Sequence, residues 1–181
     1  WVDMPCQKIC KLDASKQYSE IEIGEEPGFL VAVKNGGLIV GAGKKILLMN
    51  DNIVVGEVPL LCENLDVSVN DGSISPDGKT ILFGTKHNSE IEKVGESFVI
   101  GDAILRTDQR FIVFNGPAFS LDGNQVYFTD SPTGIIKVAD YDQLTGRLSR
   151  VEEFARVPEV DGYPDGMAID SEGYLWSAHW D

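Results

Sequence analysis

Three side-chain oxygen donors recur at one position of a repeated pattern: Asn70, Asn115 and Asp165. Each is followed within two residues by glycine, and each lies about eight residues ahead of a second glycine, Gly78, Gly123 or Gly173. Gly28 stands at the same offset from Gly36. Amide and carboxylate oxygens gathered around a point suit a hard divalent cation, because such ions prefer oxygen ligands and their charge offsets the burial of an aspartate. Taken one at a time, Asn-Asp-Gly, Asn-Gly and Asp-Gly are ordinary turn sequences. Only their common offset argues that they converge.

The elements that would bring them together follow from the second set of glycines. Asp77-Gly78, Asp122-Gly123 and Glu172-Gly173 read as hairpin turns between short apolar strands, and Gly36-Gly37 as an earlier one. Their spacing of about 40 to 50 residues is the range of repeat architectures such as propellers. Equivalent positions of successive blades are related by rotation about a central channel, so a repeat in sequence becomes a ring in space.

Strands are predicted over Ile9–Leu12 and Tyr18–Ile23, then Gly28–Val33, Leu38–Gly41 and Lys45–Met49. The next unit is entered through Leu65–Asn70, with strands Gly72–Ser75, Thr80–Gly84 and Ser97–Ile100. Pro117–Ser120, Gln125–Asp130, Ile135–Tyr141 and Val151–Ala155 make another, and the stretch from Asp161 opens the last. No helical period is sustained over three turns, so the chain is all-β. It reads as one incomplete propeller domain over residues 1–181, with about four blades counting partial ones. Four open blades leave strand edges unpaired, so the chain is expected to be part of a longer protein. Trp1-Val2-Asp3 resembles Phe128-Thr129-Asp130, which places the start inside a blade. Lys86–Glu96 is polar and patternless, and reads as a long loop with His87 solvated in it. Such a loop either contacts a ligand or is a tolerated insertion.

Composition excludes several classes of partner. With 29 acidic and 15 basic residues the formal charge is -14, and no Lys/Arg cluster interrupts it. Such a surface repels phosphate backbones, so no nucleic-acid partner is expected. The charge first of all serves solubility. A 43% hydrophobic content fits a soluble globular chain, and no apolar run approaches the roughly 20 residues of a membrane span. Cys6, Cys10 and Cys62 lack metal-finger spacing, and their odd number argues against a disulfide framework. Cys6 and Cys10 are read as small core residues, and a reducing, cytoplasmic location is expected.

Three ordered strings carry a family resemblance. They are Asn70-Asp71-Gly72 with Pro76-Asp77-Gly78 and Gly84-Thr85; Asn115-Gly116 with Ser120-Leu121-Asp122-Gly123 and Tyr127-Phe128-Thr129-Asp130-Ser131; and Tyr163-Pro164-Asp165-Gly166-Met167 with Glu172-Gly173-Tyr174-Leu175-Trp176. From Trp1 to Asp181 the chain resembles the senescence marker protein, gluconolactonase and regucalcin-like lactonase family. The resemblance implies a six-bladed β-propeller and hydrolysis of a small-molecule sugar lactone. It also implies one divalent metal ion in the channel, calcium foremost, with zinc, magnesium, manganese or iron as alternatives.

Residue by residue, Asn115 and Asp165 match the family's metal-binding Asn and Asp, and Asp165 is also the implied proton acceptor. Asn70 matches the Asn that approaches the substrate, there as an amide donor. The family's third ligand, a Glu, would precede Trp1. The chain departs from the pattern at Ser68, where sugar-acting members often have Arg, and at Lys86, where they tend to have Met. Two alternatives stand beside the lactonase: a non-catalytic calcium-binding propeller, and a propeller esterase or phosphotriesterase, which Ser68 keeps in play. Tyr163, Trp176, Trp180 and His179 read first as filler between blades and second as pocket lining. The oligomeric state is left open.

Overall fold

A computed structural model describes residues 1–34 and 36–181. Among these residues the strands form five antiparallel sheets, each a meander of chain neighbours. The first holds β1 (Val2–Asp3), β2 (Lys8–Leu12) and β3 (Tyr18–Glu22). The second holds β4 (Pro27–Ala32), β5 (Leu38–Ala42), β6 (Lys45–Asn50) and β7 (Ile53–Pro59). The third holds β8 (Val67–Ile74), β9 (Ile81–His87), β10 (Gly95–Ile100) and β11 (Ile104–Phe111). The fourth holds β12 (Phe114–Phe119), β13 (Gln125–Asp130), β14 (Ile135–Asp142) and β15 (Arg147–Arg156). The last is the hairpin of β16 (Tyr163–Ile169) and β17 (Leu175–Trp180). Three complete sheets flanked by two partial ones are the blades of a propeller, and β4, β8, β12 and β16 are their inner strands.

The first sheet repeats the fourth with its innermost strand left out. Val2 pairs with Ile9 and Asp3 with Lys8, as Thr129 pairs with Ile136 and Asp130 with Ile135. The tight turns after Asp3 and Asp130 close alike, Gln7 N–H donating to the Met4 carbonyl and Gly134 N–H to that of Ser131. The likeness of Trp1-Val2-Asp3 to Phe128-Thr129-Asp130 is thus one of structure as well.

The core is divided among the gaps between blades. Ile9, Val40, Ala42, Leu47 and Met49 fill the first gap. Phe29, Val69, Ile81, Phe83 and Phe98 fill the second, and Leu82, Val99, Phe111, Phe114 and Phe128 the third. Alternation along a strand sends successive side chains to opposite faces. Ile81 and Phe83 therefore point into one gap and Leu82 into the next, so the third sheet, packed on both faces, runs apolar without alternation over residues 81–83 and 98–100 of its central strands. Outer strands have no such constraint. β7 and β11 lie where the sequence predicts no strand: β7 exposes Ile53, Val54 and Val55, and β11 is mostly polar.

Two further expectations are corrected. The strand β9 runs through Lys86 and His87, so the loop spans only residues 88–94, and His87 is buried rather than solvated. Its Nδ1 accepts the backbone N–H groups of Ile91 (3.3 Å) and Glu92 (3.0 Å), and its Nε2 faces Asp66 Oδ2 at 3.2 Å. A ring that accepts at Nδ1 and donates at Nε2 holds this loop in shape, which explains why a polar residue is buried there. His87→Ala should free two N–H groups at a cost of about 1–3 kcal/mol, and amide exchange at Ile91 and Glu92 should quicken about tenfold or more. Of the cysteines, which are all free thiols, Cys10 is buried but Cys6 sits exposed in the β1–β2 turn, not in a strand.

Candidate functional site

Each inner strand carries a β-bulge at the repeated position. Along β8 and β9, Val69 faces Thr85 but Asp71 faces Gly84, which leaves Asn70 as an extra residue. The same one-residue slip separates Asn115 from Ala118 in β12, Pro164 from Met167 in β16, and Pro27 from Phe29 in β4. The Asn-Asp-Gly, Asn-Gly and Asp-Gly sequences are therefore not turns ahead of the strands. They lie inside them, where a bulge bends the strand and re-aims a side chain.

The four bulges meet at one cleft of about 510 Å³, whose walls include Gly28, Asn70, Asp71, Asn115 and Asp165. Backbones approach closely here. A Cβ on Gly28 would lie 2.5 Å from the Asn70 carbonyl oxygen, and one on Gly116, whose φ is +63°, would collide with the carbonyl of Asp165. Glycine at these two positions lets neighbouring inner strands touch.

The side chains form a directed relay. Asn70 Nδ2 donates to the Phe114 carbonyl (2.8 Å) and to Asn115 Oδ1 (2.8 Å), and Asn115 Nδ2 donates to Ser131 Oγ (2.9 Å). A backbone carbonyl can only accept, so the Phe114 contact fixes which end of the Asn70 amide is nitrogen and, through it, the orientation of Asn115. Both Nδ2 hydrogens of Asn70 are engaged inside the protein, which leaves Oδ1 as its remaining side-chain polar atom.

Asp71, which the sequence reading passed over, joins the same network. Its Oδ2 accepts the N–H of Gly116 at 2.7 Å and its Oδ1 that of Gly72 at 2.7 Å. Burial pushes its carboxyl up to about 6, against the two N–H groups, which favour the ion, and the nearby Asp165 charge adds to the rise. Burial likewise raises Asp165, opposed by the Gly166 N–H and assisted by Glu90, a residue of the 88–94 loop that reaches the cleft. Among the described residues neither Asp71 nor Asp165 has a Lys, Arg or His partner. Two desolvated carboxylates beside an oriented amide oxygen, with no basic side chain to neutralise them, make a donor set that fits a hard cation. Among the described residues no three His, Cys, Asp or Glu side chains are grouped so that they could hold a metal by themselves.

Other expected residues fall nearby or outside. Trp180 lines the cleft and packs against Tyr163 with ring centroids 5.3 Å apart. Trp176 donates from Nε1 to Asp170 Oδ2 and lies on an adjoining groove with Met167. His179 is exposed, its Nδ1 2.9 Å from the Asp161 carbonyl, and is not part of the cleft. Ser68 and Lys86, the two departures from the family pattern, are direct cross-strand partners, and Lys86 Nζ binds Glu90 Oε1 at 2.7 Å.

A profile described as "SMP-30/Gluconolactonase/LRE-like region" matches residues 1–181. The chain belongs to this family. Among relatives of this SMP-30/gluconolactonase family, regucalcin of Xenopus laevis is 29% identical over 189 residues, which cover 98% of this chain and 62% of the relative. A pentonolactonase of Haloferax volcanii is 42% identical over 67 residues, 37% of this chain and 23% of that one. The crystal structure of a calcium-binding protein, regucalcin, from Agrobacterium tumefaciens superposes with a TM-score of 0.91 at 20% identity, over 99% of this chain and 62% of that one. The chain thus spans 62% of the Xenopus relative's length. The fold of the family is a six-bladed β-propeller, and this chain supplies about four of its blades.

Proposed function

We propose that the protein carrying this chain is a metal-dependent hydrolase that opens a sugar lactone. The observation that carries this is the convergence of Asn70, Asn115 and Asp165, from three successive inner-strand bulges, on one acidic cleft in a chain of the SMP-30/gluconolactonase family. The Haloferax relative, named a pentonolactonase, supports the substrate class.

In this reading Asn115 Oδ1 and the Asp165 carboxylate hold a divalent cation, calcium foremost. Such an ion supplies Lewis acidity, drawing electron density from the lactone carbonyl. Asn115 is kept oxygen-first by the relay from Asn70 and to Ser131. The Asp165 carboxylate takes the proton of the attacking water, which the same ion makes more acidic. Asn70 and the loop residue Glu90 lie where a small ring could touch them.

A second reading, a calcium-binding propeller without catalysis, draws on the description of the Agrobacterium protein as calcium-binding. Cation removal separates the two. Stripped full-length protein should gain about 2.7 kcal/mol of stability when calcium is restored to about 100 times its Kd. It should then hydrolyse five- and six-membered sugar lactones. Stabilisation without hydrolysis would favour the binding module, faster turnover of aryl esters or phosphotriesters would favour the esterase, and neither effect would end the proposal.

A further inference from the structure

Asp71 is a half-buried carboxylate that the proposed chemistry does not use, and its two oxygens accept backbone N–H groups from two different blades. A bulge leaves N–H groups without a ladder partner. In β12 the slip spans Gly116 and Pro117, and Pro117 has no N–H, so Gly116 carries the donor that needs an acceptor. Only a side chain with two acceptors and no donor can serve Gly72 and Gly116 together, and a carboxylate meets that requirement with charge-assisted bonds. Its neighbour Asn70 holds the Phe114 carbonyl and Asn115 Oδ1 at the same time. Two consecutive residues of the β8 bulge therefore grip three consecutive residues of the β12 bulge, with Asn115 in the middle.

We propose that Asp71 is a positioning residue: by fixing the Gly116 N–H it sets the β12 bulge, and with it the direction in which Asn115 presents its oxygen to the cleft. The inference rests on the reading of Asn115 as a cation ligand. Two glycines adjoin the clamp because side chains would spoil it. At Gly72 a Cβ would lie 2.7 Å from that of Phe83, and at Gly116 it would strike Asp165.

Asp71→Asn is isosteric but has one acceptor and one donor group, so it can satisfy only one of the two N–H groups. Asp71→Ser, too short to bridge them, is examined in parallel. Asp102→Asn, an exposed carboxylate in the turn between β10 and β11, controls for the lost charge. Full-length variants are titrated with calcium, and amide exchange at Gly116 is measured in the cation-free state. Calcium affinity about 10–100-fold weaker in the Asp71 variants, the usual cost of removing an outer-sphere partner, is the expected result. It should come with loss of protection at Gly116, unchanged β13 and β14 amides, and no effect of Asp102→Asn. Wild-type affinity, or a Gly116 amide that stays protected, overturns the clamp. Abolished binding with Gly116 still protected would make Asp71 a ligand and also overturns it. If the wild-type protein binds no divalent cation, the proposed function fails. Gly116 exchange in the cation-free variant still decides whether the clamp exists.

Discussion

Asp165→Ala in the full-length protein is expected to remove cation retention and lactone turnover together. In the proposed function the carboxylate has two roles on one group, ligand and proton acceptor, so its loss cannot be compensated by the amides around it, which carry no charge. Lewis-acid stabilisation is worth several kcal/mol, and each 1.36 kcal/mol is tenfold in rate, so turnover should fall by about 10³-fold or more. The fold should tolerate the change. Asp165 sits at a bulge, its side chain is half-buried, and its interstrand contact with Gly116 is made by its carbonyl, which alanine keeps. Equilibrium dialysis against calcium, run beside hydrolysis of a sugar lactone, reads both quantities. A folded variant that retains the ion and wild-type turnover removes Asp165 from the site.

The ring of inner-strand positions was legible because its cause is periodic. A fixed offset from a hairpin glycine survives rotation about the channel, so Gly28, Asn70, Asn115 and Asp165 could be lined up without knowing any contact. Their local geometry was not legible. Asn-Gly and Asp-Gly serve turns and bulges alike, and the distinction lies in the partner strand's register, which is a long-range property. Asp71 was passed over for the same reason: its acceptor role appears only when Gly116, 45 residues away, is brought against it. Burial misled the reading of His87, whose polar surroundings in sequence look like solvent although its ring is sequestered by the backbone N–H groups it accepts. The outer strands β7 and β11 escaped because a blade's edge buries little, and alternation fades where nothing packs against the second face.

Phe114→Ala should be the most destabilising of these changes, because one side chain joins two blades beneath the cleft. Its ring is essentially fully buried and meets Phe111 edge-on, with centroids 4.9 Å apart at 90°, and Phe128 in a stacked pair at 6.0 Å. It also lies against Gly84 of β9, so it closes the gap between the third and fourth sheets. Truncation removes apolar contacts on every side and leaves a cavity that rigid strands cannot collapse to fill. Phe→Ala substitutions in such sites cost about 3–5 kcal/mol, a large share of the roughly 5–15 kcal/mol by which a domain is stable. The Phe114 carbonyl remains, so the Asn70 contact is not deleted chemically, and any effect on cation binding must arise from movement of the β12 bulge. Urea unfolding of the full-length protein, with and without calcium, separates the two effects. A drop of several kcal/mol in the cation-free protein, partly restored by saturating calcium, is expected. A loss below 1 kcal/mol would mean that the blades are held together elsewhere.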